Sequence, residues 1–259
     1  MPESTDSPPH YDQAEPGDPI FLSTKTIPPE QRLIFALDVP AVDDAKRLVE
    51  RLKESVEFYK VGLELFMTGQ GFELVDWLIE RDKNVFVDLK LFDVPETVQR
   101  AVKQLSRRPI AFTTVHGNDG ILEAACREKG DLKVLAVTAL TSLDRGDLDD
   151  LGFQVDVEQL VLSRARRALE IGCDGVVSSG LEARPLRESL GERLLIVTPG
   201  IRPVENRPSD DQKRVVDVEQ AFRNGADYIV VGRPIRNAAD PYEAALQIQS
   251  TITGLFVSG

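Results

Sequence analysis

The stretch LIFALDVPAVDDAKRLVERLKESVEFYKVG (33–62) changes its periodicity twice, and its reading decides the fold. LIFALDV (33–39) is a short apolar run rich in residues that suit extended chain. From Val42 onward the apolar positions become Val42, Ala45, Leu48, Val49, Leu52 and Val56. Spacings of three and four put those side chains on one stripe of a helix. FYKVG (58–62) returns to a strand pattern, so the segment reads as strand, helix, strand.

The same alternation continues along the chain. Further strands are expected at NVFVDLK (84–90), AFTTV (111–115), KVLAV (133–137), DGVV (174–177), LLIVT (194–198) and DYIVVG (227–232). Helical patterns fall near 69–81, 95–107, 119–130, 156–171, 181–190, 217–224 and 240–253. Eight β-then-α units in one domain-sized chain imply an α/β protein built as a single (β/α)8 barrel, the TIM barrel. A doubly wound open sheet is the competing arrangement. No Gly-x-Gly-x-x-Gly follows the first strand, which counts against its dinucleotide-binding version.

The barrel is assigned to residues 31–259. Ahead of it, the first 29 residues hold seven of the sixteen prolines, and no Lys or Arg precedes Lys25. Residues 1–30 are therefore expected to be a disordered, acidic, Pro-rich tail, removable to about Ile27 without loss of stability or turnover.

With 31 basic against 43 acidic residues the net charge is -12, which argues against nucleic acid or an anionic membrane as the main partner. No apolar run approaches the roughly 20 residues that span a bilayer, and the N-terminus lacks a signal-peptide pattern. Cys126 and Cys173 read as small core thiols of a reducing compartment rather than a disulfide, so the expected address is cytoplasmic. With His10 and His116 the only histidines, no metal site is expected. An anionic small substrate remains compatible, provided basic residues converge locally.

In such a barrel, chemistry belongs at the C-terminal ends of the strands. Those ends carry Asp38, Lys60, Asp88 with Lys90, His116, Thr141, Arg202 and Arg233. Residues two apart on a strand face the same way, so Ile34, Ala36 and Asp38 share a face, as do Phe58, Lys60 and Gly62, and Asp88 and Lys90. Asp93 follows just past the third strand. A ring of structural salt bridges is the bland reading of any one of these residues. Gathered at one mouth, an alternating Asp–Lys–Asp–Lys array holds its lysines charged without a metal. His116 reads as a structural or supporting residue.

VTPGIRP (197–203) and VGRP (231–234) end two strands in Gly-Ile-Arg and Gly-Arg. Glycine-freed backbone N–H groups and guanidinium forks there suit a dianionic phosphate. Between them VENRPSDDQKR (204–214) has the length and polarity of a lid.

DLKLFDVPET (88–97) resembles the signature of the bacterial-type orotidine 5′-monophosphate decarboxylases, Asp-x-Lys-x-x-Asp followed by Ile/Val-Pro. FALDV (35–39), KVGLELF (60–66), VTALTS (137–142), VTPGIRP, DDQ (210–212) and VGRPI (231–235) recur in that family's order, so the resemblance covers about 31–250. It implies conversion of orotidine 5′-monophosphate to uridine 5′-monophosphate, the last step of pyrimidine nucleotide synthesis, with no metal or cofactor. It implies that Asp38 and Lys60 hold the ribose and the charge array, and that Asp88, Lys90 and Asp93 form the catalytic segment. Asp93 would be shared across a homodimer interface. Thr97, closing the signature, joins the substrate-binding set. Thr141 would meet the pyrimidine, and Arg202, Gln212, Gly232 and Arg233 the phosphate. Lys90 would stabilise and protonate the ring carbanion. Two departures stand out: Phe92 where some relatives have His, and Asp211 where Gly often precedes the Gln.

Two rivals are weighed beside this. A Mg²⁺-dependent sugar-phosphate decarboxylase or synthase of the same barrel type has a metal-ligating Glu in place of Lys60, and a charged lysine cannot ligate Mg²⁺. A non-catalytic nucleotide-binding barrel has no use for Lys90 between two carboxylates.

Overall fold

Eight parallel strands follow one another in sequence order around a closed barrel. They are β1 (Leu33–Ala36), β2 (Phe58–Gly62), β3 (Asn84–Leu91), β4 (Phe112–Val115), β5 (Lys133–Val137), β6 (Gly175–Val177), β7 (Leu195–Thr198) and β8 (Tyr228–Val231). β8 pairs in parallel with β1, through Leu33↔Ile229 and Phe35↔Val231, which closes the ring and leaves no sheet edge. The computed structural model describes residues 20–140, 143, 145–202 and 216–257.

Period-two alternation sets the two faces of each strand. Ile34, Ala36, Phe58, Phe86, Phe112, Leu135, Leu195, Val197, Tyr228 and Val230 fill the barrel interior. Phe112 is the hub, with ring centroids 5.0 Å from Phe58, 5.1 Å from Tyr228 and 5.9 Å from Phe86. Full burial of each large apolar side chain stabilises by about 1.5–3 kcal/mol, so this aromatic plug makes the barrel a packed core rather than a pore. Residues of the other parity, such as Phe35, Tyr59 and Val87, join the layer between strands and helices.

The helices are α1 (Val42–Leu52), α2 (Leu63–Met67), α3 (Gly71–Ile79), α4 (Pro95–Leu105), α5 (Asp119–Arg127), α6 (Arg145–Asp150), α7 (Val157–Ile171), α8 (Ala183–Leu190), α9 (Val218–Arg223), α10 (Arg233–Arg236) and α11 (Pro241–Phe256). α1 buries Val42, Ala45, Leu48, Val49 and Leu52, the stripe expected from spacing. Side chains of Asn118, Asp156, Asp217 and Asp240 accept from backbone N–H groups at the starts of α5, α7, α9 and α11. Each such cap satisfies a donor the helix itself cannot use, which fixes where it begins. Among the described residues no helix is long and apolar enough to cross a membrane. Cys126 and Cys173 are free thiols with their sulfurs 3.6 Å apart.

The barrel's packing begins before residue 31, so the expected tail is too long. Residues 1–19 lie outside the described set, but residues 20–30 are tied down. Phe21 N–H donates to the Arg223 carbonyl, and Ser23 Oγ donates to Asp227 Oδ1 at 2.5 Å. Lys25 Nζ lies 3.2 Å from Asp227 and 2.7 Å from Glu192. The physical reason is Asp227, a fully buried carboxylate that needs partners from outside its own strand. It also receives Arg187 Nη2 at 2.5 Å and Ile196 N–H at 2.8 Å. The polar residues of this segment therefore satisfy a buried charge that apolar periodicity does not reveal.

Candidate active site

The mouth is organised by an irregularity in β3. Val87 pairs with Thr113 and Leu91 with Val115, so Asp88, Leu89 and Lys90 stand against Thr114 alone. Such a bulge re-aims side chains at a strand end. Lys90 takes φ 48°, a left-handed conformation that costs a non-glycine residue about 1–3 kcal/mol. Its N–H, out of the ladder, donates instead to Thr114 Oγ1 at 2.9 Å. The same hydroxyl donates to Asp88 Oδ1 at 2.8 Å.

Across the three strands a row of alternating charge results. Asp38 Oδ1 lies 3.3 Å from Lys60 Nζ, and Lys60 Nζ lies 3.5 Å from Asp88 Oδ2. Lys90 Nζ donates to both Asp88 oxygens, at 2.9 and 3.0 Å. Lys60 and Asp88 are largely buried, with side chains 13% and 12% exposed. Burial alone would neutralise the Lys60 ammonium, but Asp88 and Asp38 beside it outweigh that and hold its pKa above the ordinary lysine value. Burial likewise opposes the Asp88 carboxylate, yet Lys60, Lys90 and the Thr114 hydroxyl hold its pKa below the usual range. Both groups stay ionised because they are paired.

A cavity of about 230 Å³ opens above this row. It is floored by apolar residues including Phe86, Val137 and Val230 and edged by Arg202, Gly232 and Arg233. Of the residues expected from sequence, Asp38, Lys60, Asp88, Lys90, Arg202, Gly232 and Arg233 meet there. A Cβ on Gly232 would come within 3.4 Å of Asp38 Oδ2, so the glycine keeps the rim beside that carboxylate open. Arg202 N–H bonds the Val216 carbonyl at 2.9 Å.

Asp93 and Thr97 do not line the cavity of their own chain. Asp93 is exposed, its carboxylate accepting from Val94 N–H at 2.6 Å, and Thr97 is exposed in the first turn of α4. Thr141, Gln212 and the 204–214 loop lie outside the described residues. His116 is half-buried, edge-on to Phe92, and burial with nearby Arg164 and Lys90 lowers its pKa, which favours the neutral imidazole. Two residues at the mouth escaped the sequence reading. Thr114 had a signal, since it shares parity with inward-facing Phe112 on β4. Arg236, whose guanidinium donates to the Asp38 carbonyl, had none, because only the fold brings α10 beside β1.

A closed (β/α)8 barrel with alternating carboxylates and ammonium groups at its C-terminal mouth, and arginines on the rim beyond, is the scaffold of an enzyme for a small anionic substrate. Residues 31–248 match the model of the orotidine 5′-phosphate decarboxylase / HUMPS family, and the chain belongs to that family. A protein of Methylococcus capsulatus named orotidine 5′-phosphate decarboxylase is 70% identical over 241 residues, covering 93% of this chain and 100% of that one. The protein of that name from Xanthomonas euvesicatoria is 50% identical over 224 residues, covering 86% and 92%. Among solved structures, orotidine 5′-phosphate decarboxylase from Lactobacillus acidophilus aligns with a TM-score of 0.74 at 33% identity, over 86% of this chain and 99% of that one.

Proposed function

We propose that this chain decarboxylates orotidine 5′-monophosphate to uridine 5′-monophosphate, the closing step of pyrimidine nucleotide synthesis, using its own side chains and neither metal nor cofactor. The observation that carries it is the Asp38–Lys60–Asp88–Lys90 row at the mouth. Breaking the bond from ring carbon to carboxylate leaves the electron pair on that carbon and releases carbon dioxide. Lys90, at the β3 end of the row with its side chain 40% exposed, is the ammonium that stabilises this charge and then donates the proton that replaces the carboxylate. Water at the mouth restores the lysine proton, so the net reaction consumes one proton. Asp88 holds Lys90 in place through both carboxylate oxygens.

Arg202, Gly232 and Arg233 after β7 and β8 suit the phosphate, the usual phosphate end of this barrel. Thr141 and Gln212 are assigned to the ring and phosphate on sequence alone. The metal-dependent rival is disfavoured by Lys60, whose ammonium sits between Asp38 and Asp88, where a divalent ion would have to bind. A homodimer sharing Asp93 is part of this reading. Its support is the apolar surface that flanks that residue, with Phe92 68% and Val94 63% exposed. Cytoplasmic residence fits the two free thiols.

The test is the ultraviolet absorbance change on adding orotidylate to protein dialysed against EDTA. Full turnover is expected, abolished in Lys90→Ala while nucleotide binding persists. Activity that depends on added metal, or near-normal turnover by Lys90→Ala, refutes the mechanism.

A further inference from the structure

Thr114 is fully buried on β4, beneath the charge row, and its one hydroxyl makes two bonds at once. It accepts from Lys90 N–H at 2.9 Å and donates to Asp88 Oδ1 at 2.8 Å. The ionised Asp88 carboxylate can only accept, so the hydroxyl's one proton goes to Asp88 while a lone pair takes the Lys90 N–H. The geometry therefore links the backbone of one charged residue to the carboxylate of the other. It does so at the bulge, where β4 faces Asp88, Leu89 and Lys90 with Thr114 alone. The β3–β4 register is interrupted there, and the Thr114 side chain supplies an acceptor for the Lys90 N–H.

We infer that Thr114 is a positioning residue for the decarboxylation: its hydroxyl pins the left-handed Lys90 peptide and orients the Asp88 carboxylate, so that the Lys90 ammonium is presented to the cavity. Thr114 does not line that cavity, so it acts through its two neighbours. An unpinned Lys90 could relax out of its unfavourable φ, and Asp88 could rotate toward Lys60, its other partner 3.5 Å away. Either movement displaces the ammonium from the reacting carbon without disturbing the phosphate end at Arg202 and Arg233. Small misplacements of a catalytic group cost far more in turnover than in binding. This inference rests on the assignment of Lys90 and Asp88 to the reaction.

The experiment compares wild type, Thr114→Val and Thr114→Ser on orotidylate, recording kcat and KM separately. Valine keeps the volume and removes the hydroxyl; serine keeps the hydroxyl and removes the methyl. Thr114→Val is expected to lose at least tenfold in kcat, about 1.4 kcal/mol of barrier, with a far smaller change in KM. Thr114→Ser is expected to recover most of the turnover. Thr114→Cys, with its weak S–H donor, is the second probe should valine disturb folding, and it should fall between the two. Equal kcat in wild type and Thr114→Val, equal losses in valine and serine variants, or a loss confined to KM would overturn the assignment. A wild-type protein inert on orotidylate would overturn the activity itself; an active wild type matched by Thr114→Val overturns only the role of Thr114.

Discussion

Replacing Asp227 by Asn should cut stability sharply while sparing turnover. The carboxylate is fully buried and takes Ser23 Oγ at 2.5 Å, Arg187 Nη2 at 2.5 Å, Ile196 N–H at 2.8 Å and Lys25 Nζ at 3.2 Å. Asn keeps the shape but removes the charge, leaving the buried Arg187 guanidinium only the more distant, partly exposed Glu192 carboxylate at 3.6 Å as counter-ion. Removing one partner of a buried pair costs about 3–5 kcal/mol. Arg187 retains the carbonyls of Gly225, Gly191 and Leu194 at 2.8, 3.0 and 2.9 Å, so the lower end applies, about 3 kcal/mol. For a chain of this size each kcal/mol lowers Tm by about 2–4 °C, giving an expected fall of about 6–12 °C. Asp227 precedes β8 whereas the candidate site follows the strands, so kcat measured well below Tm should not change. Thermal unfolding followed by circular dichroism, with kcat alongside, reads both quantities. A Tm within about 2 °C of wild type would refute the claim that this network is uncompensated. By the same logic, truncation through Ile27 removes Ser23 and Lys25 and should cost about 1.5–3 kcal/mol, the worth of a charged hydrogen bond.

Arg233→Ala should raise KM strongly on orotidylate yet cost almost nothing on the phosphate-free nucleoside. A four-corner cycle of kcat/KM measures this, and equal penalties on both substrates would make Arg233 structural. The charge row also fixes a pH response. Asp88, its pKa depressed in the folded protein, contributes above the ordinary carboxylate pKa of about 3.9, and that contribution fades as pH falls through its lower folded value. Lys60, its pKa raised, contributes fully below about 10.4 and loses this as pH rises through its higher folded value. These two groups therefore leave kcat flat from about pH 5 to 9, while KM should rise below about pH 6 as the substrate phosphate becomes a monoanion. A kcat profile falling at neutrality on either group's titration would contradict the pairing.

The barrel was legible because each strand carries its own alternation and each long helix its own stripe, both local properties of the chain. Parity alone put Asp38, Lys60, Asp88 and Lys90 on the inner face. What escaped it was the bulge: Lys90 reaches its position through a left-handed residue and a side-chain acceptor on the next strand. Cross-strand partners such as Thr114 depend on register, which periodicity does not carry. The Asp227 network escaped for a similar reason, joining residues as distant as Ser23 and Asp227. Helices α2, α6 and α10 are too short to show a stripe. The thiols of Cys126 and Cys173 were read as unbridged, but their proximity is a product of packing.

The aromatic plug of Phe58, Phe86, Phe112 and Tyr228 gives the barrel one open end. Everything the charged row exchanges with bulk solvent must pass the same rim that admits the substrate. Gas, proton and nucleotide therefore share a single corridor, and a seated nucleotide is also the stopper of that corridor. On the proposed mechanism, Lys90 is resupplied from water only while the corridor is at least partly clear. That couples the tempo of proton refilling to the tempo of product departure, so a slower exit would lengthen the interval before the next proton is loaded.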